Sequence, residues 1–200
     1  MSTHRASRSA ISVDDYLAGE LQAEQRHEYI DGQVYAMTGA SDRHGLIVNA
    51  LAYAMTPAAR RKGCQLFTSD MKLRLEISGK TLFYYPDLLL SCDPQDRARY
   101  FRRSPCILVE VLSESTARID RREKLLAYQT LPSLQAYLLV EQDTQRMELY
   151  RRSKDWQVEY FEDGDVPLEC LDIALPVADV YVDVESARMT EDPPTHSIQA

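Results

Sequence analysis

Asp87 and Glu110 lie inside apolar runs, and no other feature of the chain restricts its fold as tightly. Asp87 stands in Leu82-Phe83-Tyr84-Tyr85-Pro86-Asp87-Leu88-Leu89-Leu90, and Glu110 in Ile107-Leu108-Val109-Glu110-Val111-Leu112. Both runs are short, rich in branched and aromatic residues, and edged by Pro or Ser, which reads as a pair of buried strands. An ionised carboxylate in such a place costs several kcal/mol unless a cation or strong donors meet it. A divalent metal shared by the two would meet that need.

The chain of 200 residues suffices for one well-buried domain, expected over residues 12–183 between a flexible start (1–11) and a flexible tail (184–200). With 44% apolar and 27% charged residues it has the composition of a soluble globular protein. No stretch approaches the roughly 18 apolar residues that span a bilayer. The first residues, with Arg5 and Arg8 and no apolar core behind them, lack the form of a secretory signal, so a cytoplasmic location and no membrane association are expected. Cys64, Cys92, Cys106 and Cys170 are widely spaced and form no Cys-x-x-Cys pair, which speaks against a zinc knuckle or redox motif and for reduced thiols. Net charge is -8, against broad nucleic-acid binding, yet residues 97–124 hold eight basic residues and four acids. That local excess suits either a polyanionic substrate or a solvated charged surface.

Ser12-Val13-Asp14-Asp15 has the form of a helix cap. Asp31-Gly32 between two strand-like runs signals a hairpin over 27–37. Apolar spacing predicts a helix from about His44 to Lys62, with Pro57 kinking it or opening a second turn. Strands are expected at 64–67, 71–77, along the Asp87 run, along the Glu110 run and at 137–140, with a helix from about Arg118 to Leu131 before Pro132. Residues 146–151 and 156–161 read as a polar-faced antiparallel pair. The fold class is therefore α/β (α+β): a mixed sheet flanked by helices, with an N-terminal helix and hairpin and a C-terminal antiparallel extension.

In that order of elements, Pro86-Asp87 and, beyond a gap of 22 residues, Glu110 resemble the PD-(D/E)xK nuclease superfamily. The closer resemblance is to its Uma family of restriction-type endonucleases, over residues 12–181. It is carried by Glu28-Tyr29-Ile30-Asp31-Gly32, Ser69-Asp70-Met71, Tyr85-Pro86-Asp87 and the run VEVLSEST at 109–116, then Asp120, Lys124 and Tyr128. The resemblance implies hydrolysis of DNA phosphodiester bonds at a magnesium ion, for which manganese substitutes, held by Asp87, Glu110 and the backbone carbonyl of Val111. A hard cation with oxygen ligands and retained waters fits these residue types. Glu28 would be a third carboxylate or an outer partner of the ion, its alternative being a solvated strand residue.

The superfamily's lysine, two residues after the glutamate, is Leu112 here. Lys124 is the candidate replacement, since it shares a helix face with Asp120, Ala127, Tyr128 and Leu131. Asp120 and Tyr128 are expected to orient it, and its alternative is a snorkelling side chain paired with Asp120. For Asp87 and Glu110 the alternative is bonding to backbone amides or to Arg74 or Arg118. His44 and Asn49 stay outside the catalytic set. A second function, from a different class, is a nuclease-like domain without turnover that binds nucleic acid or assembles with partners. A homodimer would let two sites cut two strands.

Overall fold

The protein is described by a computed structural model over residues 10–37, 39–113 and 116–187. Helix α1 (Val13–Glu20) starts as its sequence requires, with Ser12 Oγ accepting the Asp15 N–H at 3.1 Å. Strands β1 (His27–Ile30) and β2 (Gln33–Ala36) pair around Asp31 and Gly32, whose φ values are 48° and 91°, the positive values that a two-residue hairpin turn demands. A Cβ on Gly32 would lie 2.6 Å from Ala10 Cβ. Gly32→Ala is therefore expected to cost about 1–2 kcal/mol of stability, through backbone strain and this clash. A denaturation midpoint equal to that of the wild type would contradict it.

Helix α2 (Asp42–Arg61) continues through Pro57 and buries Ile47, Leu51, Met55, Ala58 and Ala59. The loss of one N–H donor at Pro57 does not end the helix, whose apolar face is seated on a sheet, and Thr56 Oγ1 donates to the Ala52 carbonyl at 2.6 Å. Beyond it come β3 (Gln65–Thr68), β4 (Lys72–Ile77), β5 (Lys80–Tyr84), β6 (Leu88–Ser91), β7 (Phe101–Arg102) and β8 (Pro105–Leu112). The Asp87 run is thus two strands rather than one. Tyr85-Pro86-Asp87 separates β5 from β6, and Pro86, having no N–H to give a ladder, stands where the chain leaves one sheet for another.

A helical stretch over 117–129 comes next, with α3 (Ala117–Ile119), a π turn (Asp120–Lys124) and α4 (Leu125–Gln129). Strands β9 (Ala136–Glu141), β10 (Met147–Arg151), β11 (Val158–Phe161), β12 (Asp165–Leu168) and β13 (Ile173–Pro176) lead to helix α5 (Val177–Ala187). The sheets are β2-β1-β5-β4-β7, β11-β10-β9-β8-β6-β3 and the pair β12-β13. In the six-stranded sheet β8 runs antiparallel to β6 and parallel to β9, which makes the sheet mixed, as the sequence implies. Elements beyond expectation are the short strand β7, the pair β12-β13 and helix α5. Val184, placed at the head of a flexible tail, is helical and 3% exposed. Strand β10 is buried from Met147 to Tyr150 rather than polar-faced: Met147 and Leu149 share a core with Val180, Tyr181 and Val184 of α5, and on the other face Tyr150 joins the core of Tyr137 and Leu139 while Glu148 accepts from Arg121.

Every residue of β8 is buried. Ile107, Val109 and Val111 face a core built with α2 and α5, whereas Leu108 and Leu112 face a second core holding Leu73 and Leu75 of β4, Tyr84 of β5 and Tyr128 of α4. By alternation Glu110 belongs to the second face. It is directed into the layer between the two large sheets. No helix among the described residues is long and apolar enough to cross a membrane.

The cysteines are not the isolated thiols that their spacing suggests. They form two disulfides, Cys64–Cys92 and Cys106–Cys170. The first links segments that the β3-β6 pairing brings together, and the second joins β8 to the turn after β12.

Candidate active site

Asp87 and Glu110 meet because β6 and β8 pair with Leu88 opposite Val109. Just beyond the end of that ladder the Val111 N–H, which β6 no longer engages, donates to Asp87 Oδ2 at 2.7 Å. The imidazole Nε2 of His44, from the first turn of α2, lies 3.1 Å from the same oxygen. Among the described residues, both groups that reach Asp87 therefore use Oδ2. The amide half of the structural alternative for Asp87 is realised, while Arg74 is engaged with Glu76 instead.

Glu110 is 4% exposed. Its Oε1 accepts from Lys124 Nζ at 3.0 Å and from the Tyr128 hydroxyl at 2.9 Å. Lys124 also lies 3.3 Å from Glu28 Oε1 and 3.1 Å from Asp120 Oδ1. Thus Glu28, Asp87, Glu110, Asp120 and Lys124 gather at one place. Tyr128 supports Glu110 rather than Lys124, which differs from the expectation drawn on its helical position. Leu112 is 1% exposed in the core with Tyr84 and Tyr128. A lysine there has no place, and the ammonium comes from the helix.

The π turn explains how. A uniform α-helix advances 100° per residue, whereas a π turn adds a residue and re-aims the side chains after it. Asp120 and Lys124, at the two ends of that turn, are both buried, with Tyr128 buried behind them. Arg121, between them, leaves in another direction and pairs with Glu141 and, at 2.9 Å, with Glu148. Three of the eight basic residues of 97–124 are engaged within the protein: Arg102 is buried against the Ala98 and Phe101 carbonyls, Arg121 is paired, and Lys124 serves the carboxylates, while Arg97, Arg99, Arg103, Arg118 and Arg122 are exposed.

Electrostatically the site holds the Lys124 ammonium among four carboxylates. Burial lifts the Glu110 carboxyl well above the usual range; Lys124 opposes the rise, and Asp120, Asp87 and Glu28 add to it. Burial works against the Lys124 ammonium, yet Glu110, Glu28 and Asp120 outweigh it and hold the proton on. Asp120 Oδ1 is buried and finds no aligned hydrogen-bond donor among the described residues, even though Lys124 is close. An excess of carboxylate oxygens around a single ammonium fits a hard divalent cation. Val111 adds to the fit: in a strand the C=O points to the same side as the N–H, and its N–H faces Asp87.

His44, set aside from the catalytic set on sequence grounds, reaches the site. A histidine three residues after the capping Ser41 has the pattern of a surface residue. Only the packing of α2 on the six-stranded sheet brings it to Asp87. Glu114 and Ser115, within the run VEVLSEST, lie outside the described residues.

Three comparisons bear on this arrangement. The Uma2 family model, described as "Putative restriction endonuclease", matches residues 13–178. Two uncharacterized proteins of Synechocystis sp. (strain ATCC 27184 / PCC 6803 / Kazusa) are similar along most of their length. One is 34% identical over 175 residues, covering 86% of this chain and 91% of the relative. The other is 31% identical over 155 residues, covering 76% and 86%. A crystal structure described as "a putative nuclease belonging to DUF820", from Anabaena variabilis ATCC 29413, matches with a TM-score of 0.68 at 16% identity, over 86% of this chain and 98% of that one. That likeness is one of fold.

Proposed function

The chain belongs to the Uma2 family, and from that premise we propose that it is a metal-dependent endonuclease hydrolysing DNA phosphodiester bonds. The observation that carries this reading is a buried lysine enclosed by Glu110, Glu28 and Asp120, beside Asp87. Asp87, Glu110 and the Val111 carbonyl would hold magnesium, or manganese in its place, with Glu28 as a further carboxylate. Such an ion, when bound, would supply Lewis acidity toward a phosphoryl oxygen and a water of lowered pKa.

The chain's own residues divide the remaining tasks. His44 and the Val111 N–H fix the Asp87 carboxylate through one oxygen, and Tyr128 fixes Glu110 in the same way. Lys124 carries N–H donors into the layer between the sheets, where they orient the attacking water and stabilise charge developing on phosphorus. Asp120 and Glu28 hold that ammonium in place. The low-dielectric surroundings of Leu112, Tyr84 and Tyr137 strengthen each of these interactions.

The close grip on Lys124, whose side chain is 8% exposed, favours one alternative: a nuclease-like domain that binds nucleic acid or assembles with partners without turnover. Incubation of the purified protein with single- and double-stranded DNA plus magnesium or manganese separates the two. Metal-dependent cleavage is expected, and metal binding without cleavage of any substrate would favour the alternative.

A melting experiment tests the metal site without a known substrate. Wild type is expected to gain thermal stability with magnesium or manganese, as mass action requires. Asp87→Asn, which removes an anionic ligand, is expected to gain little. Without metal that variant should be no less stable than wild type, because like charges repel and the asparagine oxygen can still accept the Val111 N–H. A variant that melts lower without metal, together with no metal effect on wild type, would overturn the metal site.

A further inference from the structure

At the opposite end of β6 and β8 from Asp87, the four cysteines converge on one point. Cys64 precedes β3, Cys92 follows β6, Cys106 lies in β8, and Cys170 lies in the short turn Glu169–Leu171 after β12. The pairings Gln65 with Ser91 and Ser91 with Pro105 set the first three in neighbouring rows of the sheet. Cys92 Sγ is 3.6 Å from Cys170 Sγ, which joins the two disulfides into one cluster. The sulfurs of Cys92, Cys106 and Cys170 all lie within 4.8 Å of one another, and Cys64 is bonded to Cys92.

From this convergence we propose that Cys64, Cys92, Cys106 and Cys170 form a tetrathiolate site for one zinc ion, with the two disulfides as its oxidised, metal-free state. Two independent cross-links need not be neighbours, whereas a tetrahedral centre requires four sulfurs from separate segments to face one point. With Zn–S bonds of about 2.3 Å, tetrahedral geometry sets the sulfurs about 3.8 Å apart. The spacing between Cys92 and Cys170 is already close to this. Cys64 and Cys106 are buried while Cys92 and Cys170 are half-buried, so the cluster is anchored in the core and open on one side to metal and reductant. No local Cys-x-x-Cys pair is needed, because the sheet register brings Cys64, Cys92 and Cys106 together and the turn after β12 brings Cys170 to them.

The chemistry balances in both directions. A dithiol or phosphine reductant opens each disulfide with two electrons, giving four thiols, and Zn²⁺ then displaces four protons from them. In reverse, two equivalents of hydrogen peroxide accept four electrons and, with four protons, leave as four waters. Two disulfides form and Zn²⁺ departs. In a thiol-reducing compartment disulfides rarely persist, and the metal would there hold together the end of α2, β6, β8 and the turn after β12.

The test uses the full chain, reduced with a phosphine under anaerobic conditions and loaded with cobalt(II), then with zinc. The expected result is intense sulfur-to-cobalt charge-transfer absorption that saturates at one equivalent and is displaced by zinc, with melting temperature raised by either metal. Peroxide should abolish the absorption and restore Cys64–Cys92 and Cys106–Cys170 in a peptide map. The thiolate signature distinguishes this site from binding at the carboxylates, and Asp87→Asn should leave it unchanged. Cys170→Ser, at a half-buried position, should weaken the absorption and lower metal affinity by about an order of magnitude or more. Reduced wild-type protein that melts cooperatively, shows four titratable thiols and gives no charge-transfer band would overturn the proposal and leave two structural disulfides.

Discussion

Asp87→Asn and Glu110→Gln are each expected to reduce metal-dependent DNA cleavage by about a thousandfold or more. A lost anionic ligand removes several kcal/mol of transition-state charge stabilisation, and each 1.36 kcal/mol is about tenfold in rate. The substitutions keep shape. The amide oxygen introduced by Asp87→Asn can still accept from Val111, and the one introduced by Glu110→Gln can still accept from Lys124 and Tyr128. The bonds that position these side chains at 2.7 to 3.0 Å therefore have acceptors in the variants. Loss of rate with a native melting curve would locate the effect in charge rather than folding. Full-rate cleavage by either variant would overturn the site.

Lys124→Ala is expected to cost about two orders of magnitude or more in rate at saturating metal, the usual scale for a lost donor at developing charge. It also leaves Glu28, Glu110 and Asp120 facing one another without their ammonium. Breaking a buried pair in this way costs about 3–5 kcal/mol, so cleavage must be compared at a temperature where the variant's melting curve is still native. Lys72→Ala is the control. Lys72 is also buried, but it stands over the Tyr85 ring at 5.1 Å, beside a pocket lined by Glu20, Arg26, Asp70 and Arg99, away from the site carboxylates. Its removal should change the rate much less. A dispensable Lys124 beside an essential Lys72 would transfer the role to β4.

The position of Lys124 relieves the tension posed by Leu112. On β8, residue 112 shares a face with Glu110, but that spot is filled by the core of Tyr84, Tyr128 and Leu139. A helix crossing the same layer can deliver an ammonium from the side. The π turn at Asp120–Lys124 is the backbone device that does so. In the reading proposed above, Lys124 stands in for the superfamily's lysine, and the strand position is apolar Leu112.

How much of this could be read in the chain depends on the distance over which each feature is decided. The cap at Ser12, the Asp31-Gly32 turn, the apolar face of α2 and the burial of both carboxylate runs arise from residues within a few positions of one another. So does the pairing of Asp120 with Lys124. Local sterics and hydrophobic periodicity set such features before any tertiary contact forms. The break at Pro86 has a local cause in its missing N–H, but that β5 and β6 then enter different sheets is not a local property. His44 against Asp87 joins residues 43 apart in sequence, and Cys106 and Cys170 join residues 64 apart. Nothing in their neighbourhoods encodes those meetings. The sequence by itself determined which residues could not remain buried alone: Asp87, Glu110 and Lys124. The tertiary structure alone decided which partners meet them, because strand register and the packing of α2 and α4 on the sheets are settled by the whole core rather than by any one segment.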